Sequence, residues 1–290
     1  VDMYALNSRV NDLYFGILLL DEQLKQNALL QDELERNYRQ ITAYVENGIA
    51  NQADLDAVKV EQLNTKQKRV ELVSSRMAYL KMLSLLVGEK LSQETVLEKP
   101  VPQDDISAVG EIRRPELSLF NAQGVGLQVQ EKALNVRHLP QFGLFVQGAY
   151  GNPGLNMLKN EFSPYYIAGV RLSWNFGSLY TLKNDRKVIE NKRRQLDNNR
   201  DVFLFNTRLE MTQQDQAIQS LEKQMQDDDE IIRLRTNIRK SAEAKVANGT
   251  LTVTEMLREL TNESLARQSK ALHEIQRLMG IYQLKYTTND

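Results

Sequence analysis

The sequence predicts a mainly α fold with a small β part: duplicated long coiled-coil helical hairpins flanking an antiparallel transmembrane β-hairpin. Three observations predict it. Apolar residues recur at helical spacing over very long polar stretches, the pattern breaks into strict alternation only between Leu139 and Phe176, and the helical pattern repeats itself at an offset of 201 residues, Gly48 falling on Gly249.

The alternating stretch contains two strands. Phe142, Leu144, Val146, Gly148 and Tyr150 alternate with small or polar neighbours, as do Tyr166, Ala168, Val170, Leu172, Trp174 and Phe176, and between them Gly151, Pro153, Gly154 and Pro164 punctuate a loop. A tilted strand of about 9 to 11 residues crosses a bilayer, with aromatic residues at its ends. Tyr150, Tyr165, Tyr166, Trp174 and Phe176 occupy those ends. The membrane-facing set is therefore Phe142, Leu144, Val146, Tyr150, Tyr166, Val170, Leu172, Trp174 and Phe176, and Arg171 is expected on the other face, because in lipid near the midplane it costs about 2 to 4 kcal/mol. A soluble hairpin covering a helix layer is the rival reading, but the flanking helices are too polar to offer such a layer.

From Val1 to about Val45 residues such as Val10, Leu13, Ile17, Leu20 and Leu24 mark one helix, which stops at Asn47-Gly48. Asn51 with Asp54 then reads as the cap of a helix from Gln52 to Val87. Residues 1–87 form a first helical hairpin with its tip near 47–51. Residues 88–114, with Gly88, Pro100, Pro102 and Gly110, read as an irregular connection with room for a short helix or strand. Pro115 opens a helix to about His138, the strand pair occupies 139–176, and residues 177–290 form a second hairpin with its tip near 248–252. Its first helix, from about Leu179 to Val246, is near 100 Å long by the helical rise per residue. Thr252 with Glu255 has the spacing of a capping box.

With 37 Lys and Arg against 38 Asp and Glu, no global field draws nucleic acid. The absence of cysteine excludes disulfides and thiolate chemistry. No apolar run approaches the roughly 18 residues of a membrane helix. Asp227-Asp228-Asp229-Glu230 points in several directions around a helix, with Arg233 spaced to pair with Asp229, so it reads as a solvated face and not a metal site. His138 and His273 lack metal-ligand or catalytic spacing, no nucleophile or phosphate-loop motif is present, and no cofactor or enzyme activity is expected.

Arg114-Pro115-Glu116-Leu117, Leu139-Pro140, Gly148-Ala149-Tyr150-Gly151 and the run Gly169 to Phe176, together with a Gly followed six residues later by an acid after each turn, resemble the outer-membrane efflux protein family, which is similar to TolC. The resemblance covers essentially the whole chain. It implies an α-barrel/β-barrel channel protomer in the outer membrane of a Gram-negative bacterium, most of it in the periplasm. The implied assembly is a homotrimer in outer-membrane lipid that meets a periplasmic adaptor (membrane fusion) protein and an inner-membrane transporter. It also implies an entrance lined by Asp54 and Glu255, with Arg258 standing where the family can place a second carboxylate and partly neutralising the ring. The cap and the lumen role for these acids remain alternatives that are compatible with each other. Adaptor contact is expected at Glu46, Asn47, Gly48, Ile49, Asn248, Gly249, Thr250 and Leu251. By the repeat, a first strand pair is expected before Val1, so the first β-hairpin is absent from this chain and three copies contribute six strands. The rival function is a periplasmic adaptor or coiled-coil scaffold.

Overall fold

The computed structural model describes residues 2–101 and 111–289. Its elements are α1 (Asp2–Glu46), α2 (Gln52–Val87), α3 (Pro115–Arg137), β1 (Gln141–Gly151), β2 (Ser163–Ser173), α4 (Ser178–Ala247) and α5 (Val253–Thr288). They fall into two compact units, residues 1–114 with 207–290, and residues 115–206.

In the first unit the internal repeat is structural. Helices α2 and α5 are both 36 residues long, and their bounds differ by the same 201 positions that separate the two glycines. Each ends on a left-handed cap, Gly88 at φ 79° and Asn289 at φ 60°. The repeat extends to side chains. Leu13, Ile17, Leu80 and Leu83 form one buried cluster, and Met211, Ile218, Ile281 and Leu284 form another, in which Ile218, Ile281 and Leu284 are the counterparts of Ile17, Leu80 and Leu83. Asp21 pairs with Arg76, and at the matching positions Glu222 lies 2.8 Å from Arg277. The same helix-to-helix register therefore occurs twice, set by apolar seams and marked by a cross-helix ion pair.

A third cluster joins the two hairpins: Phe15 and Leu18 of α1 pack on Ile275 and Leu278 of α5, with Tyr14 and Tyr282 against Phe15 at ring separations of 5.6 and 5.5 Å. The connection after α2 is irregular over its described residues but is firmly held. Arg76, itself buried, donates to the carbonyls of Gln93 and Thr95 at 2.8 Å each, while Lys99 reaches Glu274 at 2.7 Å. Leu91 and Leu97 pack on the clusters below. The stretch 102–110, including Pro102 and Gly110, lies outside the described residues, so no helix or strand is assigned there.

Two sequence expectations are corrected along α4. Asp229 does not take Arg233: it pairs with Lys270 of α5 at 2.5 Å, and Arg233 takes Glu230 one step nearer along the helix. His273 is not solitary either, since its Nδ1 lies 2.8 Å from the carboxylate of buried Asp228. Both changes have one cause. The antiparallel partner helix brings Lys270 and His273 alongside the acidic run, and spacing within one helix cannot register a neighbour.

In the second unit α3 runs antiparallel to the first part of α4. Phe120 and Phe203 lie 5.8 Å apart, Arg193 reaches Glu131 at 3.0 Å, and Arg186 reaches Asn135 at 2.8 Å. None of the residues of α3 is buried. The strands β1 and β2 pair antiparallel with Phe142 opposite Leu172, Leu144 opposite Val170 and Gly148 opposite Tyr166.

Leu80→Ala and Ile281→Ala remove equivalent fully buried side chains. Each is expected to cost about 2 to 5 kcal/mol in denaturant unfolding. A loss confined to one of the two would contradict equal roles for the two copies.

Candidate functional site: two helix tips and an apolar strand face

The tips are built from backbone chemistry that repeats bond for bond. At the first, the amides of Asn47, Gly48 and Ile49 donate to the carbonyls of Ala43, Val45 and Tyr44 at 3.1, 3.1 and 2.8 Å. At the second, Asn248, Gly249 and Thr250 donate to Ala244, Val246 and Lys245 at 3.2, 2.9 and 2.9 Å. Both asparagine side chains also return to the carbonyl four residues back. Gly48 at φ 72° and Gly249 at φ 67° take the left-handed conformation that a side chain would strain, and so the chain can reverse within five residues.

Asp54 and Glu255 both act as caps. The Asp54 amide donates to Asn51 Oδ1 at 3.0 Å and the Asp54 carboxylate accepts from the Asn51 amide at 3.1 Å. Glu255 accepts from the Thr252 hydroxyl at 2.9 Å and from its amide at 3.2 Å. These two bonds, with Arg258 nearby adding to them, hold the Glu255 carboxyl below its ordinary value against a small opposing effect of burial. Arg258 itself is exposed and lies 3.7 Å from Glu259. Glu255 and Arg258 also line an open groove of about 390 Å³ with Lys245, Leu251 and Glu259.

Glu46, Asn47, Gly48, Ile49, Asn248, Gly249 and Thr250 are exposed. Leu251 differs, because like Ala50 at the first tip it is partly buried and packs on the cluster beneath. That cluster contains Leu34, Ile41, Val58, Ala242, Val246, Val253, Met256, Leu257 and Leu260, drawn from all four long helices. The two tips therefore share one dry core.

Below that core lies a charge cluster whose links between helices are not visible from spacing along one helix. Glu263, 3% exposed, accepts from Thr236 at 2.8 Å, Arg239 at 2.5 Å and Arg267 at 2.6 Å, and Arg239 also reaches Glu33 of α1 at 3.6 Å and pairs with Glu243. Burial alone would raise the Glu263 carboxyl, yet the hydrogen bonds from Arg267, Thr236 and Arg239 outweigh it and hold the group below its ordinary value. Part of this was written in the repeat. Gln62 is the counterpart of Glu263 and donates at 3.0 Å to Glu35, the counterpart of Thr236.

On the hairpin, the register places Phe142, Leu144, Val146, Tyr150, Tyr166, Val170 and Leu172 on one face, where Leu144 is 86% exposed. Arg171 lies on the opposite face with its guanidinium 5.5 Å from the Phe145 ring, which itself covers Gly169. β2 ends at Ser173, so Trp174 and Phe176 lie just past its end, outside its pleat. The Trp174 indole donates to the His138 carbonyl at 3.1 Å and its ring lies 4.3 Å from Phe176. A donor that finds a backbone carbonyl at the strand's end has reason to leave the ladder.

No protein-family model and no curated protein matches the sequence. Solved structures do. The outer membrane protein VceC from Vibrio cholerae superposes with a TM-score of 0.80 at 11% identity, over 98% of this chain and 70% of VceC. The Campylobacter jejuni CmeC outer membrane channel gives 0.76 at 12%, over 98% of this chain and 62% of CmeC. The chain has the same fold as these two proteins. A third channel of that fold, MtrE of Neisseria gonorrhoeae in its open state, gives 0.73 at 12%, over 98% of this chain and 66% of MtrE. The chain thus spans between 62% and 70% of the length of these three channels. Among the described residues no helix is long and apolar enough to cross a membrane, and no group of three or more His, Asp or Glu could hold a metal ion.

Acid should weaken the tip region through Glu263. Its folded pKa is depressed, so its contribution is complete above the ordinary carboxyl value of 4.5 and is lost as pH falls from there through the depressed value. Glu263→Gln should lower stability at neutral pH by about 1 to 3 kcal/mol and flatten the acid limb of the stability profile. An unchanged acid limb in denaturant titrations would remove the group from the account.

Proposed function

We propose that the chain is a subunit of an outer-membrane channel, a passive duct that carries substrates from periplasmic partners to the exterior and does no chemistry itself. The observation that supports this most is the likeness of 98% of the chain to outer membrane channels, combined with a hairpin that turns one unbroken apolar face outward. A lone two-stranded hairpin is marginal in water, and large exposed apolar patches mark contact with protein or membrane. The strands here are 11 residues each, the length a tilted crossing needs. Exposed Val125, Val129 and Val136 on α3, with Val202 and Phe205 on α4, fit a homotrimer in which neighbouring copies cover them.

In this reading the tips are the periplasmic entrance. Exposed Glu46, Asn47, Gly48, Ile49, Asn248, Gly249 and Thr250, with half-buried Leu251, meet a periplasmic adaptor that links the duct to an inner-membrane transporter. The turns are stiff because both capping boxes are complete, so opening moves whole helices and does not melt their ends. The shared core below both tips couples the two hairpins in that movement. Asp54 and Glu255 place carboxylates at the entrance while capping their helices, and Arg258 offsets part of their charge. The rival reading, an adaptor or scaffold, has no use for the apolar strand face.

The purified native protein in planar lipid bilayers should show uniform conductance steps. Asp54→Asn with Glu255→Gln should move the reversal potential in a salt gradient toward anions. An unchanged reversal potential would take the two acids off the conduction path, and bilayers that stay silent would favour the scaffold.

A further inference from the structure

The connection between β1 and β2, residues 152–162, carries four large apolar side chains that are well exposed. Leu155, Met157, Leu158 and Phe162 are 65%, 86%, 95% and 65% exposed. Solvated loops ordinarily keep such residues apart, and here four fall within eight positions.

The loop is built to present them. At its base the Phe162 ring stacks on Tyr150 at 5.7 Å with an interplanar angle of 21°, and Gly154 runs so close to Ser163 that a Cβ there would meet its Oγ at 2.0 Å. At its apex the amides of Leu158 and Lys159 donate to the side chain and the carbonyl of Asn156 at 3.1 and 3.2 Å. That turn leaves Met157 and Leu158 exposed, with exposed Lys159 and Glu161 following them in sequence. The stack matters most. Phe162 precedes β2, but its stack on Tyr150, which shares a face with Leu144 and Tyr166, joins the loop's apolar surface to the strand face.

We propose that this loop is a membrane anchor: Leu155, Met157, Leu158 and Phe162 insert into the interfacial zone of the lipid leaflet beyond the Tyr150–Tyr166 aromatic end, with Lys159 at the headgroup phosphates. The inference rests on reading the hairpin as membrane-spanning. Rings at a strand's end sit at headgroup level, so a loop leaving them must either rise into water or fold back along the interface. Four apolar side chains in water carry a standing cost, whereas in the interfacial zone they add to binding as the apolar face of a surface-lying segment does. A lysine beside them keeps its charge among the phosphates. A seat on a neighbouring copy is the competing occupant.

Because the chain has no cysteine, single labels are clean. Leu158→Cys and Leu144→Cys, each carrying a nitroxide, are compared in liposomes of phosphatidylethanolamine and phosphatidylglycerol, with Asn47→Cys as an aqueous reference. Collision with oxygen relative to a water-soluble nickel complex should rise several-fold over Asn47 at both 144 and 158. If 144 is protected and 158 reads like Asn47, the loop is aqueous and the inference falls while the hairpin reading stands. If 144 reads like Asn47, the hairpin does not span lipid and both fall. Dipolar broadening at 158, with protection from both reagents, would seat the loop on a second copy and also overturn the inference.

Discussion

Long helices this polar stay in place only where a narrow buried stripe meets a partner along its length. In the first unit that stripe is supplied four times, at the shared tip core, at the two equivalent clusters around Ile17 and Ile218, and at the aromatic join of Phe15 with Ile275 and Leu278. Everything polar is arranged around these seams. Arg76 and Arg239 span elements beside them, and Arg267 reaches Glu263 four positions back along α5, satisfying carboxylates or carbonyls that the seams force under cover. Burying a guanidinium is expensive unless each donor finds an acceptor, which is why Arg76 holds Asp21, Gln93 and Thr95 together.

The duplicated frame explains why the two tips are so alike. A turn closed by a left-handed glycine, an asparagine folding back on its own helix and a reciprocal cap leaves little freedom in how the second helix departs. Two copies with the same departure angle can share a core, and the sharing couples them. Divergence is permitted where the seam allows it: Leu72 and Asn27 of the first copy correspond to His273 and Asp228 of the second, an apolar and an amide side chain in one and a hydrogen-bonded imidazole and carboxylate in the other.

Much of this was legible in the sequence because it is local. Asn-Gly turns, capping spacings, Pro115 at a helix start and the alternation from Phe142 to Tyr150 depend on neighbours within four residues. The offset of 201 also contained more than the turns, for it sets Asp21 on Glu222 and Arg76 on Arg277, a doubled ion pair that spacing along one helix does not reveal. The cluster around Glu263, the Asp228 to His273 pair and the Lys270 to Asp229 pair depend on how α4 and α5 are rotated against each other. Where β2 ends depends on a similar long-range contact. Alternation carried the pattern on to Phe176, while a carbonyl at His138, 36 positions away, drew the indole off the strand. Leu251 likewise follows a turn in sequence but finds the shared core in space.

The central claim is that the two tips meet at the entrance of one gated duct. The most direct measurement places cysteines beside Asp54 and Glu255 in the native protein and follows export in cells while the tips are cross-linked and then reduced. The account predicts that cross-linking stops export and that reductant restores it. Export that continues at full rate with the tips completely cross-linked would contradict it.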